Sequence, residues 1–450
     1  MSGSTAARSH GTQARDAVVT GVGFCLPGRE RPVLTADDLW QVASRGETCL
    51  VLDDFYFGSV NLSDALFAEI LPDMPDIFAR NYTAAHRFGL VSLVQACADA
   101  RLDFRADELT QAAILVGRGG IDANIDSYLA ALRVNASHFS PHEATELFAA
   151  MEQAITPSDV ALVQGGLTRT KGPCYTVSSG CASSALQIGN AHRMIASGEA
   201  DVVLVTGVDV FRADMLRNIQ QTLLSIQERY GDTQSADLPA LPPPASLMRP
   251  YDRRGVCVNY GEGAATVILE ARDHATRRGA HTYGQVLAQA TVRDGLAHPL
   301  APDETGAALA TAARRCLGDR WTLDQIPYVH GACDGQDVVN AFEAGAVREL
   351  YGAGPDRVLM TSQEGCFGHN GAPAGCLGVA LTLLMMERDE VCPTTNCEEP
   401  LEDLAFDPVP GTVPRQLDFD YALNFNHQLG GLKSAILLGG PEVATTLQTT

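Results

Sequence analysis

Short apolar runs rich in β-branched residues recur along the chain, and longer stretches with apolar residues at helical spacing separate them. Each run is continuous rather than alternating, which is typical of strands buried on both faces. Segment 80–99 has the helical pattern. These patterns predict an α/β fold whose strands are covered by helices on both sides. The predicted strands are 17–23, 113–117, 200–207, 264–270, 283–287, 358–361, 421–424 and 434–438.

The predicted elements form two series with the same order of strands and helices but no residue-level repeat. A chain of 450 residues exceeds the usual size of a single core, so two fused halves are expected. We predict a disordered tail at 1–16, an N-terminal half at 17–275 and a C-terminal half at 276–450. The loop 232–250 contains three consecutive prolines, which cannot continue a helix or a central strand, and it is interpreted as a surface excursion.

The composition is that of a globular enzyme, with 46% hydrophobic and 19% charged residues. No apolar run approaches the roughly 18 residues that cross a membrane. Residues 1–15 lack the apolar stretch of a secretory signal, so a cytoplasmic protein is expected. The twelve cysteines include no C-x-x-C pair. We therefore expect reduced thiols, with neither a metal site nor a tightly bound cofactor.

The net charge of −22 at pH 7 argues against a nucleic-acid-binding role, which requires a basic face. The same charge would repel an acidic protein partner. Such a partner would need a local basic patch, for which the candidate residues are Arg80, Arg87, Arg212 and Arg217.

The strongest local feature surrounds Cys181. Segment 172–184 predicts a strand followed by a tight turn, and segment 185–199 predicts a helix rich in small residues. Cys181 would then lie at a helix start, where unpaired backbone N–H groups and the helix dipole favour a thiolate. Gly180 and Ala182 are small enough to let the chain turn sharply. The alternative is one more buried cysteine, the usual state of this residue type.

Two glycine-rich loops in the second half each carry a histidine. Segment 328–335 is a strand end that turns at His330, and segment 365–375 places His369 in a turn before an apolar helix. Most histidines are structural or exposed, but active sites gather at the ends of strands in α/β sheets. A third loop, 424–431, has glycines that would let backbone N–H groups turn inward as an oxyanion hole requires, although an ordinary turn is the equal alternative.

Together these segments resemble the β-ketoacyl synthases of the thiolase superfamily, in the family's order and over residues 18–438. The turn 178–183, S-S-G-C-A-S, is similar to the family's D-T-A-C-S-S and keeps the cysteine and the last serine. Any one match is weak, but six in sequence indicate the fold. The other matching positions are Arg249 to Asp252, Gly261 to Gly263, His330 with Gly331, Gly368 with His369, Ala374 with Gly375, and Pro393 and Thr394 with Asn396.

The resemblance implies two similar βαβαβ-type halves in a thiolase-like five-layer αβαβα core, assembled as a homodimer or a closely similar heterodimer. It implies that Cys181 takes an acyl group from a phosphopantetheine thioester, carried by an acyl carrier protein or coenzyme A. His330 and His369 would bind a malonyl-type thioester and stabilise the enolate left by decarboxylation. The backbone N–H groups of Cys181 and Leu429 would receive the oxyanion.

The chain departs from the family beside its second histidine. The family's lysine five residues before that histidine is replaced by Glu364, and the acidic residue nine places after it by Gly378. A carboxylate beside His369 should raise the pKa of that histidine and favour imidazolium. If Glu364 points into the pocket, it could instead act as a base.

Further departures lie around the expected acyl pocket. The family's D-x-x-E appears as Asn340-x-x-Glu343 after a two-residue insertion. In the late loop His427 replaces a phenylalanine and Leu429 replaces the gating phenylalanine. His427 and Gln428 should bring polar groups close to the pocket. These changes indicate either an unusual substrate or bond-forming step, or drift away from the site.

Three interpretations follow. The first is a decarboxylative condensing enzyme of secondary, polyketide-type metabolism, because the cysteine and both histidines are present. The second is a non-decarboxylating acyltransferase that forms an ester, an amide or another bond, for which Glu364 and His427 would deprotonate the acceptor. The third is a non-catalytic partner subunit resembling a chain-length factor, and Cys181 counts against it.

Overall fold

The structure is a computed structural model. It describes residues 15–74, 82–119, 140–142, 159–211, 216–217, 245–296, 303–354, 357–428 and 430–443. Nearly all of the expected tail, most of the loop 232–250, and Arg80, Arg212 and Leu429 lie outside these residues. Among the described helices, none combines the length and the apolar composition that crossing a bilayer requires.

In the described part of the chain, the strands and helices alternate through both halves. The strands are β1 (Ala17–Cys25), β2 (Val51–Leu52), β3 (Tyr56–Gly58), β4 (Ala113–Arg118), β5 (Cys174–Ser178), β6 (Val202–Asp209), β7 (Tyr260–Gly261), β8 (Gly263–Ala271), β9 (Gly284–Arg293), β10 (Tyr328–His330), β11 (Leu359–Thr361), β12 (Glu390–Val391), β13 (Arg415–Gln416), β14 (Tyr421–His427) and β15 (Leu432–Gly439). The helices are α1 (Ala36–Ser44), α2 (Asp64–Ile70), α3 (Ala84–Asp99), α4 (Asp159–Thr168), α5 (Ser183–Ser197), α6 (Arg272–Arg277), α7 (Ala307–Leu317), α8 (Asp337–Tyr351), α9 (Glu364–Phe367) and α10 (Ala374–Arg388).

The continuous apolar runs form fully buried strands. Every residue of β1, β6 and β8 is buried, because helices pack against both faces of the sheet. Helix α3 begins at Ala84, where the Thr83 hydroxyl accepts a hydrogen bond from the backbone of the third helical residue and caps the helix. The α/β fold predicted from the sequence is confirmed.

The prediction of a loop at 424–431 is wrong for the first half of that segment. Strand β14 continues through Phe425 and Asn426 to His427, which pairs with Lys433 of β15. All three β14 residues are buried, so an antiparallel partner is needed to satisfy their backbone groups. The turn starts only at Gln428.

The two halves share one strand topology. The sheet has ten strands in the order β11-β10-β14-β15-β9-β1-β8-β6-β4-β5. In each half the first strand pairs antiparallel with the last, and three mutually parallel strands complete the set of five. A short antiparallel pairing between β1 and β9 joins the halves. This symmetry supports a division between β8 and β9.

Two helices lie between the two sets of strands. Helix α5 contacts β4 and β6 of the first half and β9 and β15 of the second, while α10 contacts β6, β8 and β14. Helices α3 and α4 cover the outer face of the first set, and α7 and α8 cover that of the second. The helices α5 and α10 approach closely, because a Cβ at Gly375 would lie 2.4 Å from the backbone nitrogen of Ala185. This close contact brings the two helix starts together.

We expect Gly207→Ala to lower the free energy of unfolding by about 1–3 kcal/mol. A Cβ at Gly207 would lie 2.4 Å from the carbonyl oxygen of Ala372 and 2.7 Å from the Cα of Pro373, so β6 would have to move away from the loop before α10. The matched control is Gly166→Ala in α4, which meets nothing within 4 Å and should stabilise the helix by roughly 0.5–1 kcal/mol. Chemical unfolding followed by circular dichroism measures both, and equal effects of the two substitutions would contradict this packing.

Candidate active site

Cys181 lies in a tight turn between β5 and α5. Gly180 has φ +52°, a left-handed conformation that glycine adopts without strain. One 3₁₀ turn, Gly180–Ala182, then leads directly into α5. The Ser183 hydroxyl accepts a hydrogen bond from the backbone N–H of Ser179 at 2.8 Å and lies 2.6 Å from the carbonyl oxygen of Gly180. These contacts hold the thiol, which is partly exposed, at the helix start.

Cys181, His369 and Glu364 form a hydrogen-bonded series, named here the triad. Sγ of Cys181 lies 2.7 Å from Nε2 of His369. On the other side of the ring, Nδ1 of His369 donates to Oε2 of Glu364 at 2.9 Å. Glu364 therefore points at the imidazole. This is the orientation in which the carboxylate acts on the pKa of His369. A nucleophile, a base and a carboxylate that orients the base are the arrangement used in covalent acyl transfer.

The neighbours of His369 and Glu364 within the triad shift the pKa values of both residues. Burial alone would lower the pKa of His369, but the Cys181 sulfur and the Glu364 carboxylate raise it well above its usual value. Burial raises the pKa of Glu364, and the adjacent imidazole opposes that rise. The contacts with Cys181 and Glu364 therefore favour the imidazolium form of His369, as the sequence predicted for a carboxylate at this position.

The two halves are tied together beside the triad by residues that the sequence did not single out. Asp209, the last residue of β6, accepts hydrogen bonds of 2.7 Å from the backbone N–H groups of Gly119 and Ala372. The Ser184 hydroxyl on α5 accepts one of 3.1 Å from the backbone of Cys376 on α10. Asp209 is a charged residue at the end of a buried strand, and this position in the sequence is a signal that could have identified it as a functional candidate.

His330 lies at the end of β10 and has a different environment. Burial lowers its pKa to about 4, so the ring is neutral. A chain of polar groups reaches its Nδ1: the Gln363 amide donates to Thr361 Oγ1 at 3.3 Å, Thr361 lies 2.8 Å from the Tyr328 hydroxyl, and that hydroxyl lies 3.1 Å from Nδ1. When each group donates to the next, Nδ1 of His330 accepts and the ring proton lies on Nε2, which is the tautomer that we assign. No hydrogen bond joins His330 to Cys181 or His369 within the described residues.

The loss of the acidic residue at position 378 has a steric explanation. A Cβ at Gly378 would lie 2.4 Å from Nδ2 of Asn424 and 2.9 Å from Cδ2 of His330. The Asn424 amide therefore occupies the space that a side chain at 378 would need. Its Oδ1 accepts a hydrogen bond of 2.6 Å from Asn426. Glu364 thus contacts His369, while Asn424 fills the space at Gly378 beside His330.

Two further residues, the retained Glu343 and the substituted His427, stabilise the loop after His330. Oε1 of Glu343 accepts from the Ala332 backbone at 2.9 Å, and burial raises the pKa of that carboxyl to about 7. His427 Nε2 donates to the Ala332 carbonyl at 3.0 Å, and burial, followed by the nearby Lys433, lowers the pKa of His427 well below its usual value. His427 is therefore a neutral donor to this loop.

Gln428 contacts the nucleophile turn directly. Its Oε1 lies 3.4 Å from the Ser179 hydroxyl, and a Cβ at Gly180 would lie 2.7 Å from its Cγ. Leu429, expected to complete the oxyanion hole, lies outside the described residues. The described part of the chain holds no group of three or more His, Cys, Asp or Glu side chains arranged to bind a metal.

Two of the four candidate basic residues are engaged by acids. Arg87 pairs with Asp64 at 2.6 Å and lies over the ring of Phe67, and Arg217 pairs with Asp54 at 2.6 Å. A carrier would have to displace these carboxylates to use either guanidinium.

Two family models match this chain. The one described as beta-ketoacyl synthase, N-terminal domain, matches residues 14–275, and the one described as beta-ketoacyl synthase, C-terminal domain, matches residues 283–398. Together they cover well over half of the sequence. The chain is 28% identical over 436 residues to the putative polyketide beta-ketoacyl synthase 1 of Streptomyces cyaneus, covering 95% of this chain and 98% of that protein.

Solved structures show the same fold at lower identity. The ishigamide ketosynthase/chain length factor is 21% identical with a TM-score of 0.76, covering 95% of this chain and 99% of that chain. A type II PKS ketosynthase in complex with its acyl-carrier protein is 19% identical with a TM-score of 0.75, covering 96% of this chain and 100% of that chain.

We expect iodoacetamide to alkylate Cys181 before any other cysteine, because its sulfur is partly exposed and faces an imidazolium. His369→Asn removes that cation and should slow alkylation of Cys181 by about tenfold or more. Cys174→Ser, at the other partly exposed cysteine, should leave the rate unchanged. Peptide mass spectrometry over a time course measures the rates, and native Cys174 reacting as fast as Cys181 would contradict the assignment.

Proposed function

Because the chain belongs to the β-ketoacyl synthase family, we propose that it is a ketosynthase-type acyltransferase. Cys181 takes an acyl group from a phosphopantetheine thioester and condenses it with a malonyl-type thioester, with loss of CO₂. The observation that carries this proposal is the 2.7 Å contact between Cys181 Sγ and His369 Nε2 at a helix start. This contact places a nucleophile, the Cys181 sulfur, directly beside a proton donor, the His369 ring.

Loading proceeds by thioester exchange. The Cys181 thiolate attacks the acyl carbonyl carbon, and the oxyanion that forms is received by the backbone N–H of Cys181, with Leu429 as the second expected donor. The carbon–sulfur bond to phosphopantetheine then breaks. The departing sulfur takes the proton from Nε2 of His369, which leaves an acyl-Cys181 thioester beside a neutral imidazole.

Condensation draws on His330. Its neutral ring carries a proton on Nε2 and can donate it as a hydrogen bond to the enolate oxygen that forms when the malonyl unit loses CO₂. The enolate carbon attacks the acyl carbonyl, the bond to Cys181 breaks and the thiolate is restored. The charge of the malonyl carboxylate is thereby transferred to sulfur.

We place this reaction in polyketide-type biosynthesis with an acyl carrier protein as partner. Support comes from the relative named as a polyketide beta-ketoacyl synthase and from the ketosynthase solved with its carrier. The interpretation as a non-catalytic subunit is disfavoured, because Cys181 is present and lies within a complete triad.

We propose that two copies pair through the edge of the sheet at β5. This strand ends the strand order and leaves Tyr175 38% exposed, and the neighbouring α4 leaves Leu162 59% exposed. An open edge with exposed apolar side chains favours pairing with another chain. A closely related second subunit would fit the same edge.

Incubation with octanoyl-N-acetylcysteamine should add one octanoyl group to the protein, detected by intact mass. Cys181→Ala should abolish the adduct, and Cys174→Ser should retain it. Addition of a malonyl thioester should discharge the adduct with release of CO₂. His330→Ala should leave loading intact but slow discharge by about 100-fold to 1000-fold, because the enolate loses its neutral donor. A native protein that forms no adduct would refute the proposal.

A further inference from the structure

The two histidines carry their ring protons on opposite nitrogens. The Glu364 carboxylate can only accept a hydrogen bond, so Nδ1 of His369 must be protonated. For His330 we assign the opposite tautomer, in which the Tyr328 hydroxyl donates to Nδ1 and the ring proton lies on Nε2. In their neutral forms, His330 therefore presents a donor and His369 presents a lone pair. A lone pair on Nε2 cannot donate to an enolate oxygen.

Loading produces this neutral form of His369. The imidazolium gives its Nε2 proton to the departing thiol, and Glu364 retains the proton on Nδ1. Nε2 is then a free base in contact with the sulfur that carries the acyl group. The carboxylate increases the basicity of that nitrogen.

We propose that the acyl group on Cys181 is also delivered to a primary amine, with His369 as general base and Glu364 as the residue that positions its proton. The inference rests on the acyl-enzyme of the proposed function and adds a second acceptor to it. The amine nitrogen attacks the acyl carbonyl, and its N–H proton passes to Nε2 of His369. The carbon–sulfur bond breaks, which yields an amide and restores the thiolate–imidazolium pair without a proton from solvent.

The charges around His369 favour an amine as the additional acceptor. Glu364 and Asp334 are both buried, and the described contacts of Asp334 are hydrogen bonds from the backbone and side chain of Gln336. Two carboxylates attract an ammonium group, which loses one proton to solvent before its nitrogen can attack. The titratable groups that act on His369 or respond to it are Cys181, Tyr260, Asp334, Glu364 and His427.

The test uses the octanoyl-enzyme, isolated from excess donor, and three acceptors offered separately: n-butylamine, n-butanol and a malonyl thioester. We expect n-butylamine to form the octanoyl amide and to discharge the native adduct faster than n-butanol. Glu364→Gln should still load but should slow amide formation by about tenfold or more. Glu364→Asp keeps the charge and should retain an intermediate rate, which also covers the case in which the glutamine variant fails to fold.

The pH profile separates positioning from simple structural damage. The base is active when neutral, so the rate of amide formation, divided by the concentration of unprotonated n-butylamine, should rise with pH through the pKa of His369 in the acyl-enzyme. Glu364 raises that pKa, so Glu364→Gln should move the rising limb to lower pH while lowering its plateau. The control is Glu270→Gln at the far end of β8, which alters a partly buried Glu–His contact of 2.6 Å to His274 together with the contacts of Glu270 to Arg278 and Thr20. This variant should leave the rising limb of the pH–rate profile at the same pH as in the native protein.

Each outcome decides between the two proposals. A native adduct that resists n-butylamine but is discharged by the malonyl thioester with release of CO₂ overturns the inference and leaves the proposed function standing. Faster discharge by n-butanol than by n-butylamine also overturns the inference. So does a pH–rate profile whose rising limb does not move in Glu364→Gln. Absence of any native adduct removes the proposed function and the inference with it.

Discussion

The contact between the Cys181 sulfur and the His369 ring joins the two halves of the molecule at one pair of atoms. Its length is set by backbone packing rather than by the two side chains. Helices α5 and α10 approach closely at Gly375, and Asp209 binds the backbone of the His369 loop. Any shift of one half against the other would therefore separate nucleophile and imidazole, and a separation of about 1 Å is enough to impair such chemistry.

The surroundings of the two histidines assign them different chemistry despite similar burial. His330 meets hydroxyl groups that can donate, so desolvation dominates and lowers the pKa of its ring. His369 meets a carboxylate and a sulfur, so opposite charge overcomes desolvation and raises the pKa. One ring is thus held neutral, and the other is favoured as an imidazolium.

The sequence was sufficient to predict the α/β fold, the turn at Cys181 and the two histidine loops, because glycine positions and strand ends are local properties of the chain. The direction of Glu364 was left open, since it depends on the short helix α9 and on Gly368, whose φ of +81° brings His369 back beside it. The extension of β14 to His427 was missed because pairing with β15 is non-local. Asp209 was missed for the same reason, since its backbone partners lie 90 and 163 positions away.

The exchange of lysine for Glu364 changes the sign of one charge without disturbing the fold that carries it. A lysine at this position would lower the pKa of the adjacent imidazole and could donate to Nδ1 but not accept from it. The proton of a neutral ring would then lie on Nε2, as it does in His330. A glutamate moves the proton to Nδ1 and leaves Nε2 as a base. A chain with this fold can therefore change its proton chemistry through a residue that contacts the histidine on the side opposite the sulfur, while Asn424 fills the neighbouring space at Gly378.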